Sequence, residues 1–204
     1  MQSDKAMRWS QLPSNPPDPA SSVLHAPSCA CVLVDLNGAI LTAYRQRQPT
    51  VFEDVDGTYI RMLFPHRIDE LDEVLPFIRD RLANESAASG WLLWGVLVAS
   101  KSQAAIPNEY ELIGISGFEG PPSVHGQVEI GYAITPAFRG QGIATEAVGL
   151  LVSHAMRRGA RRIVAEVYPF KRGSIRVLEK TGFQLMGQGA TRGTMRFAVE
   201  AEEC

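Results

Sequence analysis

The sequence predicts an α/β domain of the α+β kind, with a mixed, mostly antiparallel central sheet flanked by helices. Three observations carry this. Strand-length apolar runs succeed one another from Trp91 to Thr135 with only turn-forming linkers between them. Helical periodicity appears on either side of the runs, at Ile68 to Leu82 and at Ala144 to Gly159. The last run passes straight into a glycine turn and a helix, TPAFRGQGIATEA, and a further apolar strand follows.

Residues 1–27 are rich in Pro, Ser, Asn and Asp and poor in large apolar side chains. Such a segment cannot repay the entropy of ordering, so it is expected as a disordered tail ahead of one domain over 28–204. CVLVDLNGAILTAY places two apolar runs about Asn37-Gly38, a dipeptide that favours a hairpin turn, with an apolar helix as the alternative. IDELDEVLPFIRDRL repeats Ile68, Leu71, Val74, Leu75, Ile78 and Leu82 at helical spacing, acids leading and arginines trailing as the helix dipole favours. Pro76 inside it predicts a break or kink.

Strands are expected at Trp91–Ser100, Glu111–Phe118 and Gln127–Thr135, and an antiparallel meander is the simplest arrangement. Beyond them ATEAVGLLVSHAMRRG reads as a helix closed by Gly159, RRIVAEVY as a buried strand, SIRVLEKTGF as an amphipathic helix ending at Gly182, and TMRFAVE as a last strand. There is no internal repeat.

Strand, RGQGIA turn, helix and strand together form a βαβ-like unit. Backbone N–H groups at a helix N-terminus lack intrahelical partners and sit at the positive end of the dipole, so such a turn binds phosphate. No Gly-Lys-Ser/Thr follows, which excludes a Walker loop. Ile143, Ala144 and Thr145 stand where a dinucleotide fingerprint would carry its third glycine.

Arg139, Gly142 and Ala144 match a pyrophosphate loop of the form Q/R-x-x-G-x-G/A, and around them GISGFEGPP, VEIGYAITPAFRGQGIATEA, RRIVAEVYP and SIRVLEKTGF follow in order. In these blocks the chain resembles the GNAT superfamily of acetyl-CoA-dependent N-acetyltransferases. Within it the chain is similar to the branch of ribosomal-protein-alanine N-acetyltransferases, over Trp91 to Gly187. The resemblance implies a sheet that splays open beside Gln127–Thr135, with pantetheine bonded to the backbone of Ala133, Ile134 and Thr135. It implies CoA phosphates on Arg139, Gly140, Gln141, Gly142, Ile143, Ala144 and Thr145. Alternation agrees, placing Glu129, Gly131 and Ala133 on one face of the strand and Val128, Ile130 and Tyr132 on the other.

The same resemblance names Glu129 as the base that takes a proton from the acceptor amine, since only a neutral amine attacks a thioester; a surface ion pair or a substrate-orienting role is the plain alternative. It places Ser174 near the cofactor sulfur, as proton donor or CoA contact, whereas on residues alone a serine there is a helix N-cap. Two positions depart from the family pattern. Leu178 stands where many members carry a tyrosine acid, which leaves Ser174, Tyr168 or water for that role. Lys171 stands where asparagine is common; with Arg172 and Arg176 it either meets the CoA 3′-phosphate or forms a solvated basic patch.

The resemblance implies acetyl-CoA and an amine acceptor, a small molecule or a protein N-terminus, as partners. A formal net charge of -2 gives no field that would gather nucleic acid or an anionic membrane. The Arg157, Arg158, Arg161 and Arg162 cluster lacks aromatic stacking partners. Cys29, Cys31 and Cys204 make no disulfide framework, which suits a reducing cytoplasm, and they combine with no histidine at zinc spacing, so no metal is expected. WLLWGVLVA is far shorter than the about 20 residues of a spanning helix. Monomer and homodimer both fit. The two departures also admit a second reading, an acyl-CoA-binding sensor without turnover.

Overall fold

A computed structural model describes residues 23–24, 30–53, 59–84, 90–101 and 108–201. In chain order the elements are β1 (Val23–Leu24), β2 (Val32–Asp35), α1 (Gly38–Gln46), β3 (Thr50–Glu53), β4 (Tyr59–Leu63), α2 (Asp69–Asn84) and β5 (Leu93–Ala99). They continue as β6 (Glu109–Phe118), β7 (Gln127–Ile134), α3 (Ile143–Arg157), β8 (Arg162–Val167), α4 (Arg172–Lys180), β9 (Gln184–Gln188) and β10 (Met195–Glu200).

The strands form one sheet in the order β1-β2-β5-β6-β7-β8-β10-β9, with β4 added to β6 and β3 to β4. The β4–β6 and β7–β8 ladders are parallel and the rest antiparallel. The predicted meander is therefore β5-β6-β7.

Each face of the sheet carries its own core. Val128, Ile130 and Ile134 of β7 pack with Ile143, Val148 and Leu151 of α3 and with Leu178 of α4. The opposite core joins Leu97, Leu112 and Ile115 of the sheet to Ile40, Leu41 and Tyr44 of α1 and to Leu71, Leu75 and Ile78 of α2. Ala133 packs against this second core, as period-2 alternation along β7 requires.

Two local expectations are corrected. Asn37-Gly38 starts a helix instead of turning a hairpin: the Asn37 side chain accepts from the Ile40 N–H at 3.0 Å, a cap that asparagine makes as readily as a turn. Helix α2 runs unbroken through Pro76. A helix-interior proline costs about 3 kcal/mol, whereas burying Leu71, Leu75 and Ile78 returns about 1.5–3 kcal/mol each, so packing wins. Most of the expected tail lies outside the described residues, but Val23 and Leu24 within it pair antiparallel with Val34 and Leu33.

Among the described residues no helix is long and apolar enough to cross a membrane.

Candidate active site

Strands β7 and β8 start side by side and then part. Their parallel ladder links Gln127, Val128 and Glu129 to Arg162, Ile163 and Val164, and ends there. Beyond it β7 stays on β6 as far as the Ile134–Gly114 pair, while β8 stays on β10 as far as the Val167–Met195 pair. The result is a notch whose near edge is Ile130–Ile134.

Backbone direction along that edge follows from the antiparallel ladder. The Glu119 N–H donates to the Glu129 carbonyl and the Thr135 N–H to the Ile113 carbonyl, so odd-numbered residues turn their peptide groups to β6. Even-numbered Tyr132 and Ile134 turn theirs to the notch. Thr135 is thus committed to Ile113, through its hydroxyl as well as its amide. Ala133 follows the same parity, facing Ile115 across the ladder.

The chain leaves β7 through a single 3-10 turn, Pro136–Phe138, and enters the glycine turn. Arg139 folds back, its Nε donating to the Ile134 carbonyl at 2.7 Å, which fixes the turn against the end of the strand. Gly140 and Gly142 have φ of 77° and 84°, in the region where a side chain is strained, and a Cβ on either would meet nothing within 4 Å. Gln141 is held by a bond from its side-chain amide to the Ala137 carbonyl. The N–H groups of Gly140, Gln141, Gly142, Ile143 and Ala144 find no acceptor among the described residues. Thr145, by contrast, donates to the Gly142 carbonyl. Five consecutive amides without an acceptor among the described residues therefore lie at, or just before, the N-terminus of the 15-residue helix α3.

On the face shared with α3 and α4, Tyr132 crosses the notch. Its hydroxyl donates to the Ser174 carbonyl at 2.9 Å, and burial, the larger influence, pushes the phenol up to about 12 against a smaller lowering by the Ser174 side chain. Ser174 lies inside α4, whose N-cap is Lys171, so the N-cap reading of this serine is corrected. The Lys171 side chain makes no capping bond and is exposed, as are Arg172 and Arg176. Leu178 is fully buried in the core, so no polar group stands where the family tyrosine would. Tyr168 stacks on Phe170 at 5.3 Å, both solvent-exposed.

The opposite face, toward α1 and α2, holds the carboxylates. Glu129 is half-buried where the ladder ends, and burial first, then the Glu119 and Glu166 carboxylates, raise its pKa, with Arg196 acting against them. Glu166 is differently placed. It accepts from the N–H groups of Ala190 at 2.6 Å and Thr191 at 3.0 Å and from the Thr194 hydroxyl at 2.9 Å. Those bonds hold it well below the usual range, at about 2. Glu166 thus pins the β9–β10 turn beside the notch. Arg81 of α2 donates to the Glu119 carbonyl and so ties the loop before β7 to that helix. Glu129 and Ser174 therefore lie on opposite faces of one opening.

A family model described as Acetyltransferase (GNAT) domain matches residues 40–184. The chain belongs to the GNAT acetyltransferase family. It is 32% identical over 119 residues to the uncharacterized N-acetyltransferase YjdG of Bacillus subtilis, a match covering 58% of this chain and 66% of that protein. Two solved structures share the fold. An apo form of RimL, a ribosomal L7/L12 alpha-N-protein acetyltransferase, has a TM-score of 0.58 at 18% identity, over 88% of this chain and 99% of that one. Microcin C7 self immunity acetyltransferase MccE, in complex with acetyl-CoA and AMP, has a TM-score of 0.53 at 15% identity, over 86% and 98%.

Within this GNAT fold, sequence reasoning missed Tyr132, Glu166 and Arg196. Tyr132 stood in the alternation as a residue opposite Glu129, and only the crossing of β7 over α4 shows what its hydroxyl reaches. Glu166 and Arg196 gave a weaker signal, as single charges inside otherwise apolar strands.

Proposed function

We propose that the protein transfers the acetyl group of acetyl-CoA directly to a primary amine, of a small molecule or of a protein N-terminus. The observation that carries this reading is the pairing of five unengaged amides at Gly140–Ala144 with the parting of β7 from β8 at Glu129–Val164. The residues fit the donor: the amides and the Arg139–Thr145 turn suit a pyrophosphate, and an extended pantetheine suits the edge of β7, where Tyr132 and Ile134 present backbone groups.

The thioester supplies the acetyl group, and this chain's residues supply placement and proton handling. Glu129, with its raised pKa on the face away from the cofactor helices, takes the proton of the incoming ammonium, directly or through one water. The notch N–H groups polarise the acyl carbonyl. Ser174, with the Tyr132 hydroxyl on its carbonyl, stands on the side where the sulfur leaves and needs a proton. Lys171 is placed to meet a ribose phosphate by charge.

Buried Leu178 favours the second reading, an acyl-CoA sensor without turnover, because it removes the commonest acid from α4. Free-thiol release from acetyl-CoA over a panel of primary amines and N-terminal peptides separates the two. Acetylation of one acceptor class supports transfer; CoA binding with no acceptor consumed supports the sensor.

A further inference from the structure

A cavity of about 490 Å³ opens between α1 and α2 and shares no residue with the notch or the glycine turn. Three of its walls are arginines, Arg45, Arg47 and Arg79, in a chain whose formal net charge is -2. Its one acid, Asp72, is already matched: it accepts from the Tyr44 hydroxyl at 3.0 Å and from Arg67 at 3.1 Å. The cavity therefore keeps an excess of positive charge.

The arginines are not equivalent. Arg47 is fixed, with its backbone left-handed at φ 55°, its guanidinium 5.0 Å over the Tyr44 ring, and Nη1 donating to the Phe64 carbonyl at 3.3 Å and the His66 carbonyl at 2.7 Å. Carbonyl partners hold that group in place without neutralising it. Arg45 and Arg79 make no ion pair or side-chain hydrogen bond among the described residues. Other arginines pair with carboxylates, as Arg61 does with Glu109, Arg162 with Glu200 and Arg196 with Glu166, or with carbonyls, as Arg139 does with Ile134 and Arg81 with Glu119.

We propose that this cavity binds a small organic phosphate. Two unengaged guanidinium forks beside a fixed one match the several oxygens of a phosphate dianion better than the two of a carboxylate. Leu75 and Pro76 offer an apolar wall for the organic part. The volume is of the size that takes a small organic ligand, with one polar end and one apolar end. Nothing in this binding depends on whether the chain acetylates an amine.

Calorimetric titration of the full chain, saturated with CoA so that other phosphate sites are filled, tests it with phenyl phosphate as the probe. Inorganic phosphate and benzoate serve as comparators. Phenyl phosphate is expected to bind at one site and more tightly than either comparator. Arg45→Glu/Arg79→Glu should weaken it by about tenfold or more, since a single charge-assisted hydrogen bond is worth about that factor. The single variants Arg45→Gln and Arg79→Gln, which keep side-chain size, should each show part of the loss. No binding to the unaltered chain, benzoate binding as tightly as phenyl phosphate, or full affinity in both single variants would overturn the proposal.

Discussion

The Tyr132 hydroxyl donates to the Ser174 carbonyl at 2.9 Å and so joins the parting strand β7 to helix α4 across the notch. With the phenol pushed up to about 12, the donor keeps its proton at every ordinary pH. Tyr132→Phe keeps the packing and deletes this one bond. The expected loss is about 1 kcal/mol, seen as a melting temperature lower by about 3 °C. Thermal unfolding of the variant checks it, and an unchanged midpoint would mean that the bond does not brace the two elements.

Glu129 carries a penalty at neutral pH. Its folded pKa lies above the ordinary 4.5, so the folded state holds a proton that the unfolded chain has released, and stability falls as pH rises through the interval between the two values. Glu129→Gln removes the penalty. The variant is expected to be more stable than the parent at pH 7 and to lose about 10²–10⁴-fold in kcat, the usual worth of a general base, with CoA affinity kept. Paired denaturation and steady-state assays decide it; a variant less stable and fully active would reverse both assignments.

Glu166 works in the other direction. Its folded pKa of about 2 lies below 4.5, so its bonds to the β9–β10 turn stabilise the fold above 4.5, and that contribution disappears as pH falls toward 2. Glu166→Gln should therefore be destabilised at pH 7, with the gap to the parent closing over that acid range. Urea midpoints measured at stepped pH would show the convergence, and a gap independent of pH would contradict it.

Asn37→Ala should cost about 1 kcal/mol through loss of the α1 cap, while Asn37→Ser, which can still accept from the Ile40 N–H, should cost little. Equal losses in the two variants, read from chemical denaturation, would argue against a capping role.

Legibility in the sequence followed the physics of each element. Strands β5 and β6, buried along most of their length, were readable as apolar runs, and β7 and helix α3 through the period that one buried face imposes, with Gly or Pro near their ends. Asn37-Gly38 was not, because a cap and a turn use the same asparagine chemistry. β9, Gln184–Gln188, is exposed along its whole length and so carries no alternation to read. The glycine turn announced itself through Arg139, Gly140 and Gly142. The end of the β7–β8 ladder at Glu129 did not, since register is a pairing property that no single strand encodes. For the same reason Thr135, one residue past the end of β7, turns its amide to β6 and not to the notch.

In the proposed function the amides of Gly140–Ala144 seat the phosphates of CoA, and everything downstream rests on that seat. Gly142→Trp addresses it, with the melting temperature followed with and without CoA for the parent and the variant. CoA is expected to raise the midpoint of the parent and to leave that of Gly142→Trp unchanged, because the indole would occupy the open space above those amides. An equal rise in both proteins, or no rise in the parent, would overturn the phosphate seat.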